Sequence, residues 1–176
     1  DTVVYGAPSP AAREQMVIVS GQGGEIAIYD MLSGALIWAD SLASFNPKTP
    51  LEQLGDIRAF AATDSENAYF IGQSGRMSAF NINTGFELWA KPISGIEMPW
   101  IAGLNLFVVT IDGRLLSIRK SDGAVRWVNN LPGAIPEGVA VTRDLPRYMG
   151  PIVANGEVLI IGKTGELFRF EALSGK

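Results

Sequence analysis

Short apolar runs separated by glycine-containing turns recur along this chain. The runs at residues 16–20, 68–71, 106–110 and 158–161 are rich in β-branched and aromatic residues. Such runs predict β-strands. A turn that ends in glycine follows each run, as a tight hairpin requires a residue that adopts positive φ easily. No stretch combines helical spacing of apolar residues with caps, so little helix is expected.

A second strand is predicted after each of these turns, at residues 25–29, 76–80, 114–118 and 166–170. Apolar side chains stand at both odd and even positions of these strands, so both faces of each sheet are expected to be buried. A third strand follows another glycine-containing turn. One more strand is predicted in front of each group, at residues 3–10, 57–62, 99–102 and 151–154. Each group therefore has four strands.

Conserved spacings within the chain show that these groups are copies of one unit. The spacing Gly-x(9)-Gly-x(3)-Trp occurs three times, and a fourth copy keeps both glycines. The positions are Gly24, Gly34 and Trp38; Gly75, Gly85 and Trp89; Gly113, Gly123 and Trp127; and Gly165 and Gly175. A period of roughly 40 to 50 residues with turn glycines and one aromatic residue is typical of β-propeller blades. The predicted fold is all-β, with about four blades of four antiparallel strands, the last incomplete.

The three repeat tryptophans are expected to do the same structural work, which is to pack one blade against the next. The chain is predicted to be a single propeller segment with blades at about 1–42, 56–93, 96–131 and 149–176. Four blades do not close a ring easily. The edge strands near Val3 and Phe170 are therefore expected to pair, either within a larger ring or with a second copy of the chain.

Unequal spacing between the copies predicts where insertions lie. The first glycines of successive copies are 51, 38 and 52 residues apart, so two connections between blades are long, at 43–55 and 129–150. Insertions in a repeat array gather on one face, which is often the binding face. These connections are thus either a binding surface or plain solvated connectors.

Composition excludes several functions. The chain has 176 residues, a net charge of -4 and no cluster of Lys or Arg, which argues against nucleic acid or an anionic lipid surface as a partner. It has no histidine and no cysteine, which removes Ser–His catalysis, the usual zinc ligand sets and disulfides. Asp64 and Glu66 form a possible carboxylate pair, but they are expected to be a solvated turn. Trp100 lies outside the repeat spacing and is either a functional aromatic residue or part of the core.

Residues 75–89 resemble the β-propeller repeat first named for pyrroloquinoline quinone enzymes, whose consensus is close to G-x-L-x-A-x-D-x-x-T-G-x-x-x-W. Within that superfamily the chain is similar to the BamB family of outer-membrane assembly factors. The similarity lies in the stretches 53–58, 74–77, 99–103 and 122–132 and extends along essentially the whole chain. It corresponds to about half of the eight-bladed ring of that family.

The resemblance implies a non-catalytic periplasmic scaffold without a cofactor. In this family the scaffold binds the barrel-inserting subunit of the outer-membrane assembly machinery and unfolded outer-membrane proteins. A lipidated cysteine anchors it to the outer membrane, and this sequence contains no cysteine. Asp56 stands where the family has an aspartate, and Arg58 where a second acidic residue can occur. Together with Arg143 and Arg147 of the second long connection, they are the predicted partner-binding residues.

Two other classes of protein share the blade size. A quinone-dependent dehydrogenase has the same repeat, but usually needs a calcium ion above its cofactor and in many members a vicinal cysteine pair. A propeller of the WD type has Gly-His and Trp-Asp dipeptides, whereas each repeat tryptophan here is followed by Ala or Val. The predicted function is therefore a scaffold, and a dehydrogenase fragment is the alternative.

Overall fold

The computed structural model describes residues 10–21, 24–42, 61–73, 75–136, 139 and 147–176. Every regular element in this part of the chain is a β-strand. Blade 1 contains β1 (Ala11–Arg13), β2 (Met16–Ser20), β3 (Glu25–Asp30) and β4 (Leu36–Ser41). Blade 2 contains β5 (Ala62–Thr63), β6 (Asn67–Ile71), β7 (Met77–Asn81) and β8 (Glu87–Lys91). Blade 3 contains β9 (Trp100–Ala102), β10 (Asn105–Val109), β11 (Arg114–Arg119) and β12 (Val125–Asn130). Blade 4 contains β13 (Tyr148–Ala154), β14 (Glu157–Gly162) and β15 (Leu167–Glu171).

Each blade is a separate antiparallel sheet whose strand order follows the chain. The first strands of neighbouring blades contact one another, β5 with β9 and β9 with β13, so they lie on the inner side of the array. This arrangement confirms the predicted all-β fold of propeller blades. Blade 4 has three described strands, and no described strand pairs with the outer edge of β15.

The inner strands are where the structure and the sequence prediction differ most. The strand predicted at 3–10 falls almost wholly on residues 1–9, which lie outside the described part of the chain, and the first described strand is β1 at Ala11–Arg13. Residues 57–60 also lie outside it, so only β5 is described from the strand predicted at 57–62. β13 begins three residues before the predicted 151–154, and β12 runs to Asn130. The second long connection is therefore 131–147, which is shorter than the predicted 129–150.

The turn between the third and fourth strands is built in the same way in successive blades. In blade 2 the side-chain oxygen of Asn81 accepts hydrogen bonds from the Thr84 amide and hydroxyl, both at 3.0 Å, and the Asn81 carbonyl accepts from the Gly85 amide at 2.9 Å. Asp30 and Ser33 make the same contacts in blade 1, at 2.7 and 2.5 Å. Hydrogen bonds from Ser33 lower the pKa of Asp30. The local side-chain bonds explain why Asp or Asn stands four residues before the second glycine in blades 1 and 2.

The hydrophobic core lies between the blades. One cluster joins blades 1 and 2 and includes Ile28 and Phe80, and a second joins blades 2 and 3 through Tyr69 and Leu106. The third joins blades 3 and 4, where Phe107 packs with Val158, Ile160, Phe168 and Phe170. Stability therefore depends on contact between neighbouring blades, as expected for a repeat array.

The expectation that both faces are buried in β3, β7, β11 and β15 is correct for the middle blades and wrong for blades 1 and 4. In β3 only Ile26 and Ile28 are buried. In β7 and β11 four consecutive residues are buried. In β15 the residues alternate between exposed and half-buried, and Leu167 is 57% exposed. The physical reason is that blade 3 covers one face of blade 4, while no described residue covers the other.

Candidate interaction surfaces

Each repeat tryptophan bridges the interface between two neighbouring blades, which we term a seam. The indole nitrogen of Trp38 donates to the Ile82 carbonyl at 2.8 Å. In the same way, Trp89 donates to the Lys120 carbonyl at 2.8 Å and Trp127 to the Ala172 carbonyl at 3.2 Å. All three acceptors stand three residues before the second glycine of the following repeat. The structure thus gives the three indoles equivalent surroundings.

The backbone of the second glycine in the following repeat packs directly against the same indole ring. A Cβ added to Gly85 would lie 2.8 Å from Trp38 ring carbons. One added to Gly123 would lie 2.8 Å from the Trp89 ring, and Gly175 meets Trp127 at the same distance. Gly34 has no described atom within 4 Å of such a Cβ. These glycines are needed both for positive φ and for the close approach of the indole.

Trp100, the aromatic residue outside the repeat spacing, lies in β9 and is half-buried. It packs against the cluster that joins blades 3 and 4. This position fits the core alternative for Trp100 better than a functional one.

The turns and connections of the blades divide between two opposite faces. On the first, which we term the connection face, the chain leaving each blade bonds to the turn between its second and third strands. Leu42 donates to the Gly24 carbonyl at 2.8 Å and Leu131 to the Gly113 carbonyl at 3.0 Å. On the other, which we term the hairpin face, the remaining two turns of each blade meet, for example through the 3.0 Å bond from the Lys120 amide to the Leu104 carbonyl.

The short connection 92–99 shows how the connection face is held. The Gly95 amide donates to the Gly72 carbonyl of blade 2 at 3.2 Å, and the Ile111 amide of blade 3 donates to the Ser94 carbonyl at 3.1 Å. This connection therefore ties the turns of two blades together. Burial raises the pKa of Glu97, which lies half-buried in it.

The ends of the second long connection are fixed at its base. The Tyr148 hydroxyl donates to the Pro132 carbonyl across the two ends of the connection. The Ile135 amide donates to the Asp112 carbonyl at 2.8 Å, and the Asp112 carboxylate pairs with Arg114 at 2.6 Å. The connection thus begins and ends on a base that is held by hydrogen bonds and an ion pair.

Of the four predicted partner-binding residues, the structure describes only Arg147. Arg147 is exposed and lies directly before β13, at the base of the second long connection. Asp56, Arg58 and Arg143 lie outside the described residues. The structure therefore does not show whether the four residues come together.

Asp64 is not the solvated turn residue that the sequence predicts. It does form a turn, in which Oδ1 accepts from the amides of Glu66 and Asn67, each at 3.0 Å. Its Oδ2, however, accepts from Lys120 Nζ of blade 3 at 2.8 Å and from the Tyr69 hydroxyl at 3.1 Å. The correction has a simple reason: Lys120 lies 56 residues away in the chain, so the local sequence around Asp64 gives no sign of the ion pair.

The pKa shifts of Asp64 and Tyr69 favour the Asp64–Lys120 ion pair. Burial alone would raise the pKa of Asp64, but the hydrogen bonds from Lys120, the two turn amides and Tyr69 outweigh it and hold the pKa below its ordinary value. Burial and the Asp64 charge raise the pKa of Tyr69, which stays a neutral donor. A carboxylate with a lowered pKa stabilises the fold above its unfolded pKa of about 3.9, and this contribution is lost as the pH falls through the folded value.

A cleft that the sequence analysis missed opens at the equivalent place between blades 3 and 4. It has a volume of about 460 Å³ and is lined by residues of the hairpin face, among them Ala102, Asn105, Glu157, Glu171 and Ala172. Alanine carries no reactive group, so Ala102 and Ala172 do not mark this cleft in the sequence. A comparison of equivalent positions across the seams would have been needed to find it.

Two kinds of feature are absent from the described residues. They contain no group of three His, Cys, Asp or Glu side chains that could hold a metal ion. Nor do they contain a helix long and apolar enough to cross a membrane. The geometry they do offer is a rigid array with two differently built faces, suited to binding.

Four-stranded antiparallel sheets joined seam to seam by one indole contact define a β-propeller repeat protein. A family model described as outer membrane protein assembly factor BamB matches residues 1–129. The chain belongs to this family.

Relatives and solved structures agree with this assignment. Over 98% of its length the chain is 26% identical to the outer membrane protein assembly factor BamB of Legionella pneumophila, of which it covers 45%. It resembles the crystal structure of BamB from Moraxella catarrhalis with a TM-score of 0.70 at 18% identity, covering 95% of this chain and 46% of that one. A quinohemoprotein alcohol dehydrogenase from Pseudomonas putida HK5 is similar in fold, with a TM-score of 0.66 at 12% identity over 97% of this chain and 33% of that one. The chain spans about half the length of the curated relatives it matches.

Proposed function

We propose that this chain is a non-catalytic scaffold that takes part in outer-membrane protein assembly by binding a protein partner through its connection face. The family match over residues 1–129 carries the proposal, because the relatives are named as assembly factors. The partner proposed is the barrel-inserting subunit of the assembly machinery, with unfolded outer-membrane chains as further ligands. Such a scaffold acts in the periplasm at the outer membrane and needs no cofactor.

The build of the connection face supports this role. The described bases of its connections are held by backbone bonds and by the Tyr148–Pro132 contact, and groups that are already held in place lose less freedom on binding. Arg147 is exposed there, and arginine is enriched among residues that dominate binding at protein interfaces. We propose that Asp56, Arg58 and Arg143 contribute to the same surface.

A binding measurement with matched arginine variants tests the proposal. The immobilised chain is expected to capture the purified barrel-inserting subunit. Arg147→Ala should weaken capture about tenfold, the loss typical of one interface arginine. Arg119→Ala removes an exposed arginine from the hairpin face and should leave capture unchanged. Asp56→Ala and a shortened 131–147 connection should also weaken it.

Two results would contradict this proposal. The first is that the wild-type chain does not capture the subunit. The second is an equal loss for Arg147→Ala and Arg119→Ala, since the connection face would then have no special part in binding.

We also propose that the open face of blade 4 packs against a further blade of the same repeat. Leu167 is 57% exposed, whereas Met77 and Leu115, which stand at the same repeat position, are fully buried under the next blade. The relatives are about twice as long as this chain, which agrees with additional blades.

The 176-residue chain alone is therefore expected to self-associate through this face, which sedimentation over a range of concentrations measures. Leu167→Glu should weaken association at least tenfold, because a charge would be buried without a partner. Leu88→Glu places the same charge on an exposed position of β8 and should have little effect. A chain that stays monomeric at high concentration would disprove association through this face.

A further inference from the structure

We propose that the cleft between blades 3 and 4 on the hairpin face binds a primary alkylammonium group, the chemistry of a lysine side chain. The acceptors are the side-chain oxygen of Asn105 and the carboxylates of Glu157 and Glu171, all of which line the cleft. This site lies opposite the connection face and does not depend on the function proposed above.

The neighbouring seam shows a resident ammonium at the equivalent position. Ala62 pairs with Tyr69 and Trp100 pairs with Phe107, so Asp64 and Ala102, each two residues further on, are equivalent. Across the seams, Lys120 and Ala172 are equivalent because their carbonyls accept from Trp89 and Trp127. Two alanines in blades 3 and 4 thus replace the Asp64–Lys120 ion pair.

The seam between blades 1 and 2 also contains a long cationic side chain. In blade 1, Ala11 pairs with Ile18, the counterpart of Tyr69. Arg13, two residues after Ala11, therefore stands at the repeat position of Asp64 and Ala102. Its guanidinium donates to the Thr63 carbonyl of blade 2 at 3.3 Å. Of the three described seams, two are therefore bridged by a cation from the chain itself, and the third has a cleft.

The cleft has unsatisfied acceptors where a cation would sit. Asn105 is half-buried in the cleft lining, and its Oδ1 atom is shielded from solvent and accepts no hydrogen bond from a described residue. Glu157 accepts from Arg169 and Glu171 accepts from Ser174, in each case through Oε2, so the Oε1 atoms receive no described hydrogen bond. A buried acceptor without a donor is unfavourable, and a bound ammonium with three N–H donors would satisfy it.

The rest of the lining suits the aliphatic part of a lysine. Phe107, Val153 and Leu173 provide apolar walls, together with the methyl groups of Ala102 and Ala172. Long cationic side chains bury their methylene stems against such walls while the charged end reaches polar groups. The two carboxylates make the cleft unfavourable for an anion.

An NMR titration of the ¹⁵N-labelled chain with pentylammonium tests the proposal. We expect saturable shifts of the Asn105, Glu157 and Ala172 amide signals with a dissociation constant in the millimolar range, as is usual for so small a ligand. Pentanol has the same stem without the charge and should not bind. Nα-acetyl-lysine methylamide is the second arm: if it binds as well, the ligand is assigned to a polypeptide side chain, and if only pentylammonium binds, to a free amine.

Two variants make the test specific. Ala102→Asp combined with Ala172→Lys rebuilds the Asp64–Lys120 pair inside the cleft and should weaken pentylammonium binding at least tenfold. Glu157→Gln combined with Glu171→Gln keeps the shape, removes the charge and should weaken it similarly. The proposal is overturned if pentylammonium causes no saturable shift, if pentanol binds equally well, or if the folded variants bind with wild-type affinity.

Discussion

Replacing Trp89 with alanine is expected to lower the free energy of unfolding by about 4 kcal/mol. The Trp89 indole is 8% exposed and belongs to the cluster between blades 2 and 3, so its removal leaves a cavity in that seam. The Lys120 carbonyl also loses its indole donor. Denaturant unfolding, followed by circular dichroism, measures the change.

Two further variants separate the contribution of the buried ring from that of its N–H group and from the effect of changing any residue in this strand. Trp89→Phe retains much of the ring but not the N–H group and should cost about 1 to 2 kcal/mol. Leu88→Ala alters an exposed neighbour in the same strand and should change stability by less than about 0.5 kcal/mol. If Trp89→Ala were no more harmful than Leu88→Ala, the indole would not be holding the seam together.

The second large effect is expected for Gly123→Ala, at about 3 kcal/mol of lost stability. The added Cβ would lie 2.8 and 2.9 Å from carbons of the Trp89 ring, and the residue would have to adopt a φ of +71°. The nearby Lys91 Cε atom belongs to a flexible side chain and can move, whereas the buried indole cannot.

Gly34→Ala is the matched control because Gly34 has nearly the same φ, +70°, with no described atom within 4 Å of the added Cβ. It should show the conformational cost alone, about 1 kcal/mol. The difference between the two variants, read from their unfolding midpoints, is the contribution of the indole contact. Equal losses would show that backbone conformation alone requires the glycine.

The blades could be predicted from the sequence because the turns are local in each copy and the glycine and tryptophan positions repeat at the same offsets. Gly75, Gly85 and Trp89 stand at fixed offsets, and fixed offsets between turn residues and one aromatic residue determine strand length and pairing. Burial was harder to predict. The alternation in β15 differs from that in β7 because burial depends on the neighbouring blade and not on the strand itself.

Contacts between distant parts of the chain could not be predicted. Asp64 was expected to be solvated, and the structure pairs it with Lys120, which directly follows the third strand of the next blade. The cleft between blades 3 and 4 results from two small side chains, Ala102 and Ala172, at positions that other seams fill. The roles of Asp56 and Arg58 remain predictions from family resemblance and that of Arg143 a prediction from its place in the second long connection, and Arg147 is the one of the four with a described position.

The indole contacts all run in one direction along the chain, and this direction limits the order in which they can form. Every described bond of this kind runs from an earlier residue to a carbonyl 31 to 45 residues later in the chain. During synthesis, the contact between two blades can form only after the stretch of chain that supplies the carbonyl of the later blade has emerged. The indole contacts between blades can therefore form only one after another, starting from the amino-terminal end. The blade synthesised last has its contact with the preceding blade but none yet with a following one.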